Sequence, residues 1–264
     1  MSTICVCSAH RQQGKTQLVM RLVKGLTEEG FEVGTIKHIG SESKFEGSKV
    51  KDTFRHAEAG AKLVVAVTEQ EIISINKDEE CTLENAIKKF PKNIDFIIVE
   101  GFSKSSYPRF VIIDKATELE MKGLTQNGPV LGISGIITND KEELAKLENK
   151  YPIIEEKKVE NFISIIKKER LRDISSKLPL KNCGECGFQT CDEMAEQLMH
   201  KKVSFDRCSH LSAELTLQVD GEYIFVKDFV QNIIRKSVEG MIQTLKNVPR
   251  NPKKIEITIK SDMA

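Results

Sequence analysis

The sequence has no excess of charge of either sign. Its 264 residues include 40 Lys and Arg against 39 Asp and Glu, which gives a formal net charge of +1 at pH 7. Proteins that hold nucleic acid through their surface charge carry a broad basic field. We therefore expect no nucleic-acid partner, and we interpret the lysine pairs as solvated surface, at positions 157/158, 167/168, 201/202 and 253/254.

Long apolar runs are also missing. No stretch approaches the roughly 18 apolar residues of a membrane-spanning helix, and the first residues are typical of a strand rather than of a secretory signal. We expect no membrane partner and a cytoplasmic location. The seven Cys then favour metal binding or buried thiols over a disulfide framework. Cys5 and Cys7 lie on the first predicted strand and Cys81 precedes a helical stretch, so these three are interpreted as buried or incidental thiols.

A phosphate-binding loop is the clearest motif. Residues 3–16, TICVCSAHRQQGKT, pass from an apolar strand through a turn to Gly14-Lys15-Thr16, and an amphipathic helix follows. The helix N-terminus and the Lys bind phosphates, and the hydroxyl binds Mg²⁺. Ala9 stands where the motif usually has Gly, and its methyl group is tolerated only if residue 9 has a negative φ. The alternative to phosphate binding is that Lys15 is a solvated residue in the first turn of the helix. The predicted nucleotide-binding residues are His10, Arg11, Gln12, Gln13, Gly14, Lys15, Thr16 and Gln17.

Two further strands are predicted to end at the same edge of a sheet. FEVGTIKH (31–38) ends in Lys37 and His38, and DFIIVEGF (95–102) carries Glu100 near its end. Open α/β sheets bind their ligands beyond the carboxyl ends of the strands. We therefore expect these three side chains to lie near the phosphate loop.

Glu100 is the predicted acid of the site. A carboxylate beside the phosphate loop can hold Mg²⁺ through water or orient the attacking water. Lys15 and Glu100 are thus the candidate catalytic residues, and Thr16 and Glu100 the candidate magnesium ligands. Asp95, at the opposite end of the same strand, is interpreted as structural.

The order of the elements predicts the fold. PRFVIID (108–114) and VLGISGIITND (130–140) are apolar strands that suit a largely parallel sheet covered on both faces. We predict an α/β fold for residues 1–167, a three-layer P-loop NTPase domain with a mostly parallel sheet. Asn139 and Asp140 either read a guanine base or cap the following helix, KEELAKLENK.

A polar loop and a charged helix follow the second strand. Residues 40–50, GSESKFEGSKV, are predicted to form a mobile loop over the site. Asp52, Arg55 and His56 come next at i, i+3 and i+4, on one helical face. They form either a surface ion-pair cluster or part of a binding cleft.

The order of these motifs resembles the MobB family, adapter proteins of molybdopterin-guanine dinucleotide biosynthesis. The resemblance covers residues 1 to about 167 and rests on the phosphate loop followed by Ile36-Lys37-His38, KDTFRH (51–56) with AGA (59–61), and Val99-Glu100-Gly101-Phe102. Two stretches differ from the family pattern. Gly40-Ser41 stands where further His residues are usual, and Lys49-Val50 stands where Pro-Gly is usual.

The resemblance implies a GTP-binding accessory protein with weak GTPase activity at most. GTP and Mg²⁺ are the implied cofactors. Such a protein assists the guanylyltransferase that joins GMP to molybdenum- or tungsten-bound molybdopterin, and it is typically a homodimer. The implied partners are that guanylyltransferase and the molybdopterin cofactor or its target enzyme. The cleft shared with them would be lined by Lys37, His38, Asp52, Arg55 and His56.

Four Cys form a metal-binding pattern within residues 181–212. Cys183, Cys186, Cys191 and Cys208 give C-x2-C-x4-C-x16-C. Four thiolates can each hold one iron of a cubane, so we predict a [4Fe-4S] cluster. Tetrahedral Zn and free thiols are the alternatives. The pattern resembles the small [4Fe-4S] domain of corrinoid iron-sulfur proteins and of membrane electron-transport subunits.

The C-terminal residues are predicted to form a small α+β subdomain. LTLQVDGEYIFVK (215–227) alternates and turns at Asp220-Gly221. A helix follows with Asp228 as its N-cap, and KIEITIK (254–260) is the final strand. The apolar stripe of the helix is interpreted as core and consists of Phe229, Ile233, Val238, Met241, Ile242 and Leu245.

The chain thus has four predicted parts. They are the nucleotide-binding domain (1–167), a linker (168–180), the cluster segment (181–212) and the hairpin-helix-strand subdomain (213–264).

The cluster segment supports a second functional hypothesis, a nucleotide-gated electron-transfer or metallocofactor-maturation protein. In a third interpretation the cluster only stabilises a small domain. A cluster that is reduced reversibly, and that responds to nucleotide, distinguishes electron transfer from the structural role.

Overall fold

The computed structural model divides the chain into two compact units, Met1–Arg170 and Leu171–Ala264. The described residues are 1–39, 51–77, 80–147, 150–208, 210–211, 215, 217–219, 222–224, 226, 228–246, 248–249, 252 and 255–259. The predicted loop at 40–50 and the predicted turn Asp220-Gly221 lie outside them.

Strands and helices alternate along the first unit. Its strands are β1 (Ser2–Ser8), β2 (Val33–Lys37), β3 (Leu63–Val67), β4 (Ile72–Asn76), β5 (Phe96–Glu100), β6 (Arg109–Ile112) and β7 (Val130–Ser134). Its helices are α1 (Lys15–Glu28), α2 (Lys51–Glu58), α3 (Leu83–Ile87), α4 (Thr117–Met121), α5 (Lys141–Ala145) and α6 (Val159–Ser176), and α6 contains the boundary between the units. The helix predicted over KEELAKLENK is shorter than expected.

Five strands form a parallel sheet in the order β2-β5-β1-β6-β7. Phe96 to Val99 of β5 are fully buried, as expected for a central strand covered on both faces. The register pairs Lys37 of β2 with Glu100 of β5, and Glu100 with Val6 of β1. The predicted parallel α/β sheet is confirmed, and the carboxyl ends of these three strands meet at one edge.

β3 and β4 form a separate antiparallel hairpin. One face, which includes the buried Val64, lies toward α2. The opposite face is exposed and carries four apolar residues, Leu63, Val65, Val67 and Ile72, together with Ser74 and Asn76. We call this the hairpin face.

Two buried charged residues organise the ends of the sheet. Asp95 accepts a hydrogen bond from the Glu32 amide over 2.9 Å, which confirms its structural role. Arg109 is fully buried, and its guanidinium donates to the carbonyl oxygens of Ser103 and Ser105. The turn after β5 is therefore held by the first residue of β6.

Asp140 is a helix cap. Its side chain accepts hydrogen bonds from the amides of Glu142 and Glu143 over 3.0 and 3.1 Å at the start of α5. Asp is a favoured N-cap because its carboxylate satisfies amides that have no helical partner. Of the two interpretations of this position, the structure confirms capping.

The second unit contains α7 (Cys191–Met199), β8 (Leu217–Val219), β9 (Glu222–Ile224) and α8 (Asp228–Gln243). β8 and β9 pair in antiparallel orientation, which confirms the hairpin.

The predicted final strand is wrong, because residues 255–259 adopt no strand conformation. Alternating side chains alone do not form a strand; a neighbouring strand must supply the hydrogen bonds. α8 begins at Asp228, so this residue lies inside the helix rather than at its N-cap.

The interpretation of the α8 stripe as core is wrong. Phe229 is 76% exposed and Met241 is 69% exposed, while Val238 and Ile242 are partly buried. The spacing of apolar residues fixes which face of a helix is apolar, but not which element covers it.

In the part of the chain that the structure describes, no helix is long and apolar enough to cross a membrane.

Candidate functional site

The phosphate loop connects β1 to α1 and holds the Lys15 side chain. Lys15 Nζ donates to Ser8 Oγ and to the His10 carbonyl oxygen, the latter over 3.0 Å. Gly14, which precedes α1, has a φ of 83°, in the left-handed region that favours Gly. Ala9 is not among the described residues with positive φ. Its methyl group therefore causes no backbone strain where the motif usually has Gly.

The environment of Lys15 suits an anionic ligand. Burial lowers the pKa of its amine, and the nearby Glu100 carboxylate partly opposes this shift by raising it. A partly desolvated ammonium is stabilised by an anion that replaces lost water contacts. Phosphate oxygens are such a partner.

Glu100 joins three elements at the edge of the sheet. Thr16 Oγ1 donates to Glu100 Oε1 over 2.9 Å, and Lys37 Nζ lies 3.2 Å from the same oxygen. Lys37 Nζ also lies 3.5 Å from Thr16 Oγ1. The Glu100 side chain is only 12% exposed. The structure thus brings Lys37, Thr16 and Glu100 together beside Lys15, and offers a hydroxyl and a carboxylate to a hard cation such as Mg²⁺.

His38 lies against the strand that carries Glu100. Its amide donates to the Glu100 carbonyl over 2.9 Å, and its ring centroid is 4.6 Å from that of Phe102. Gly101 has a φ of 102°, and a Cβ there would lie 2.8 Å from His38 Cβ. Glycine at 101 is what allows this close approach.

Glu118 of α4 is a second acid at the phosphate loop, and sequence reasoning missed it. Gln13 Nε2 donates to Glu118 Oε2 over 3.1 Å, and His10 Nε2 lies 3.7 Å from Glu118 Oε1. The Gln13 side-chain oxygen accepts from the His10 amide over 2.8 Å. Glu118 therefore braces the loop from outside the motif. The sequence feature that could have identified Glu118 is its position shortly after β6, because the carboxyl end of β6 lies beside that of β1.

The predicted cleft residues on α2 make contacts that do not involve Lys15 or Glu100, within the part of the chain that the structure describes. Asp52 and Arg55 form a highly exposed ion pair of 3.5 Å, and His56 is also exposed. α2 packs against the β3-β4 hairpin. Within the described residues, no recorded hydrogen bond or ion pair connects these three side chains to Lys15 or Glu100. The surface ion pair is observed, and a role in a binding cleft stays a prediction.

The four predicted cluster ligands line one pocket of the second unit. The pocket lining includes Pro179, Asn182, Phe188, Met194, His210 and the cysteines at 183, 186, 191 and 208. Cys191 begins α7, and its amide donates to Asn182 Oδ1 over 2.8 Å. Arg207 Nε donates to the Cys186 carbonyl over 3.0 Å. We call this the cysteine pocket.

The donors of the cysteine pocket suit a metal centre. Cys191 and Cys208 are buried, whereas Cys183 is exposed. Burial raises the pKa of the Cys208 thiol, and the backbone amides of His210 and Leu211 oppose the shift by hydrogen bonding to its sulfur. Four sulfur donors around one pocket fit a thiolate-ligated metal or iron-sulfur centre.

Comparisons with known proteins found a match in each of the two units. Residues 3–134 match the family described as "Molybdopterin guanine dinucleotide synthesis protein B", and residues 178–210 match the family described as "Putative Fe-S cluster". A Methanocaldococcus jannaschii protein is 27% identical over 251 residues, which cover 95% of this chain and 94% of the relative. Its name is "Putative molybdopterin-guanine dinucleotide biosynthesis adapter protein".

Solved structures agree in fold. The crystal structure of Bacillus subtilis MobB superposes with a TM-score of 0.51 at 22% identity, over 62% of this chain and 98% of that chain. This similarity supports the P-loop fold of the first unit. The residues matched by the first family amount to half of the sequence and contain the phosphate loop, Lys37 and Glu100. The chain belongs to the MobB family.

Proposed function

We propose that the first unit binds GTP with Mg²⁺, and that the protein is an accessory factor in molybdopterin-guanine dinucleotide biosynthesis. The observation that carries the proposal is the convergence of Thr16, Lys37 and Glu100 beside Lys15. The name of the M. jannaschii relative supports the adapter role. The partner would be the guanylyltransferase that joins GMP to molybdopterin.

Each residue of the site has a proposed part. The amides of residues 10–15 surround the phosphates, and Lys15 contacts the β- and γ-phosphates. Thr16 and Glu100 hold Mg²⁺. Glu100 already accepts from Thr16 and lies beside Lys37, so it is better placed to hold a cation than to activate water. This arrangement supports weak GTPase activity at most.

We further propose that the protein is a homodimer formed through the hairpin face. An isolated two-stranded hairpin is marginally stable in water, and contiguous exposed apolar surface marks an interaction site. Leu63, Val65, Val67 and Ile72 form such a surface. A second copy of the chain offers an apolar surface of the same kind, and two-fold pairing is the commonest assembly of soluble oligomers.

The nucleotide proposal is tested with two lysine variants measured by calorimetry against GTP and ATP. Lys15→Ala removes the charged contacts to the phosphates, each worth about 1.5–3 kcal/mol, and should abolish measurable binding while the iron content stays unchanged. Lys24→Ala, on the exposed side of the same helix, should bind as the wild type does. Undiminished GTP affinity in Lys15→Ala refutes the site.

The cysteine pocket favours a second candidate function, nucleotide-gated electron transfer to a partner metalloenzyme. Exposed Cys183 would leave one corner of a [4Fe-4S] cluster close to solvent, as exchange of electrons with a partner requires. A reversible low-potential signal that changes with GTP supports this function. A redox-silent cluster supports a structural role. Recovery of a guanylyltransferase after anaerobic purification supports the accessory role.

A further inference from the structure

His210 places a buried ring nitrogen in the cysteine pocket. Its ring lines the pocket together with Cys183, Cys186, Cys191 and Cys208. The Nε2 atom is buried and has no hydrogen-bond partner among the described residues. The carboxylate of Glu185 lies 3.7 Å from it, which exceeds hydrogen-bond length. A buried polar atom of this kind requires a partner.

The neighbour on the other side of the ring fixes what kind of partner is required. Lys181 Nζ lies 3.4 Å from His210 Nδ1. An ammonium group has donors and no acceptor, so Nδ1 accepts from Lys181. In a neutral imidazole the proton then lies on Nε2. The buried atom in the pocket is therefore an N–H donor, and it needs an acceptor.

Sulfur is the acceptor that the pocket provides. A ring nitrogen of His210, the Cys183 sulfur and a Glu185 carboxylate oxygen lie within 4.8 Å of one another. The four cysteines already supply one ligand to each iron of a cubane. The imidazole is then in excess as an iron ligand, and a sulfur of the bound centre would supply the acceptor that His210 Nε2 lacks.

We propose that His210 donates an N–H···S hydrogen bond to the iron-sulfur centre held in the cysteine pocket, and so raises its reduction potential. When the centre accepts one electron from an external reductant, negative charge on its sulfur atoms increases. A donor aimed at these atoms stabilises the reduced form more than the oxidised form. His210 is a positioning and tuning residue rather than a ligand. The inference rests on the proposed iron-sulfur centre and is independent of nucleotide binding.

The test uses the full chain purified anaerobically, with three variants. His210→Phe removes the donor and keeps a ring, and His210→Gln restores an N–H donor of similar reach. His200→Phe is the matched control, because His200 is an exposed histidine of the same unit. Iron and sulfide are quantified first. The midpoint potential is then measured by an EPR-monitored titration with dithionite, and the Fe–S stretches by resonance Raman in H₂O and D₂O.

We expect the wild type to show a D₂O shift of the Fe–S stretches. His210→Phe should keep its iron and sulfide, show a smaller D₂O shift, because the backbone amides at Cys208 still contribute to it, and have a lower midpoint potential. His210→Gln should recover part of both properties, and His200→Phe should match the wild type. If the cluster is not reduced in the accessible range, the Raman comparison alone decides.

Three outcomes overturn the inference, and they are distinguishable. If the potential and the D₂O shift are unchanged in His210→Phe, the proposed hydrogen bond is refuted, whereas the assignment of the cluster is unaffected. Loss of iron in both His210 variants would show that His210 is an iron ligand. Zinc without sulfide in the wild type, lost on replacing Cys183, Glu185 or His210, refutes the cluster itself.

Discussion

The Thr16 hydroxyl donates a hydrogen bond to Glu100 over 2.9 Å, although the two residues are 84 positions apart in the chain. The parallel pairing of β1 with β5 creates this contact, because both strands end at the same edge of the sheet. A magnesium ion would take the place of this hydrogen bond, with the neutral Thr16 hydroxyl and the Glu100 carboxylate as direct or water-mediated ligands. The contact therefore indicates where the cation of the proposed nucleotide complex would bind.

The Glu100 carboxylate should determine how strongly Mg²⁺ supports nucleotide binding. In the wild type, GTP should bind at least about tenfold more tightly with Mg²⁺ than with EDTA, since a charge-assisted contact contributes roughly 1.5–3 kcal/mol. In Glu100→Gln this ratio should fall close to one. Calorimetry with and without Mg²⁺ measures it. Glu28→Gln, at the exposed far end of α1, is the control, and an intact ratio in Glu100→Gln contradicts the assignment.

The hairpin face should determine the oligomeric state. Val65→Lys introduces a charge into the proposed apolar interface and should convert a dimer to a monomer, measured as a halved mass by light scattering. Val219→Lys is a closely matched control, because both valines are in two-stranded hairpins and both are 52% exposed. A dimer that survives Val65→Lys, or a wild type that is already monomeric, rules out this interface.

The cysteine pocket should account for all bound iron. About four iron atoms and four sulfides are expected per chain after anaerobic purification. Cys208→Ser should lose most of both, because Cys208 is a buried member of the pocket. Cys81→Ser should lose none, since Cys81 is exposed and belongs to the first unit. Inductively coupled plasma analysis and a sulfide assay measure the result. Full iron content in Cys208→Ser would show that the cluster has other ligands.

Cys7 should be nearly inert toward alkylating reagents. Burial raises the pKa of its thiol to about 12, so the reactive thiolate is scarce at lower pH. Near pH 8 only about one thiol in 10⁴ is ionised, and the fraction rises about tenfold with each pH unit toward 12. Iodoacetamide labelling followed by mass spectrometry should modify exposed Cys81 long before Cys7. Equal labelling rates in the folded protein would contradict the predicted environment.

The sequence predicted the convergence of Thr16, Lys37 and Glu100 because these residues occupy fixed places in local motifs. Gly14, Lys15 and Thr16 are adjacent in sequence, and Lys37 and Glu100 mark the ends of apolar strands that align in a parallel sheet. Glu118 could not be predicted in this way. Its contacts with Gln13 and His10 depend on how the short helix α4 packs, and no local pattern encodes that.

The failures in the second unit have the same origin. The α8 stripe and residues 255–259 have the periodicity of buried elements, but the described part of the chain leaves most of those side chains exposed. Periodicity specifies an apolar face, whereas burial depends on a partner surface. The role proposed for His210 was not predicted because a single histidine two residues after Cys208 has no distinctive spacing.

Arg109 has a consequence for protein engineering. Its guanidinium reaches from the first position of β6 to the carbonyls of Ser103 and Ser105, so the connection after Glu100 is fastened by a side chain outside that connection. If the start of β6 is replaced by that of a relative without an arginine at this position while residues 101–108 are kept, these two hydrogen bonds are lost. Exchange of this segment should therefore include the first residues of β6.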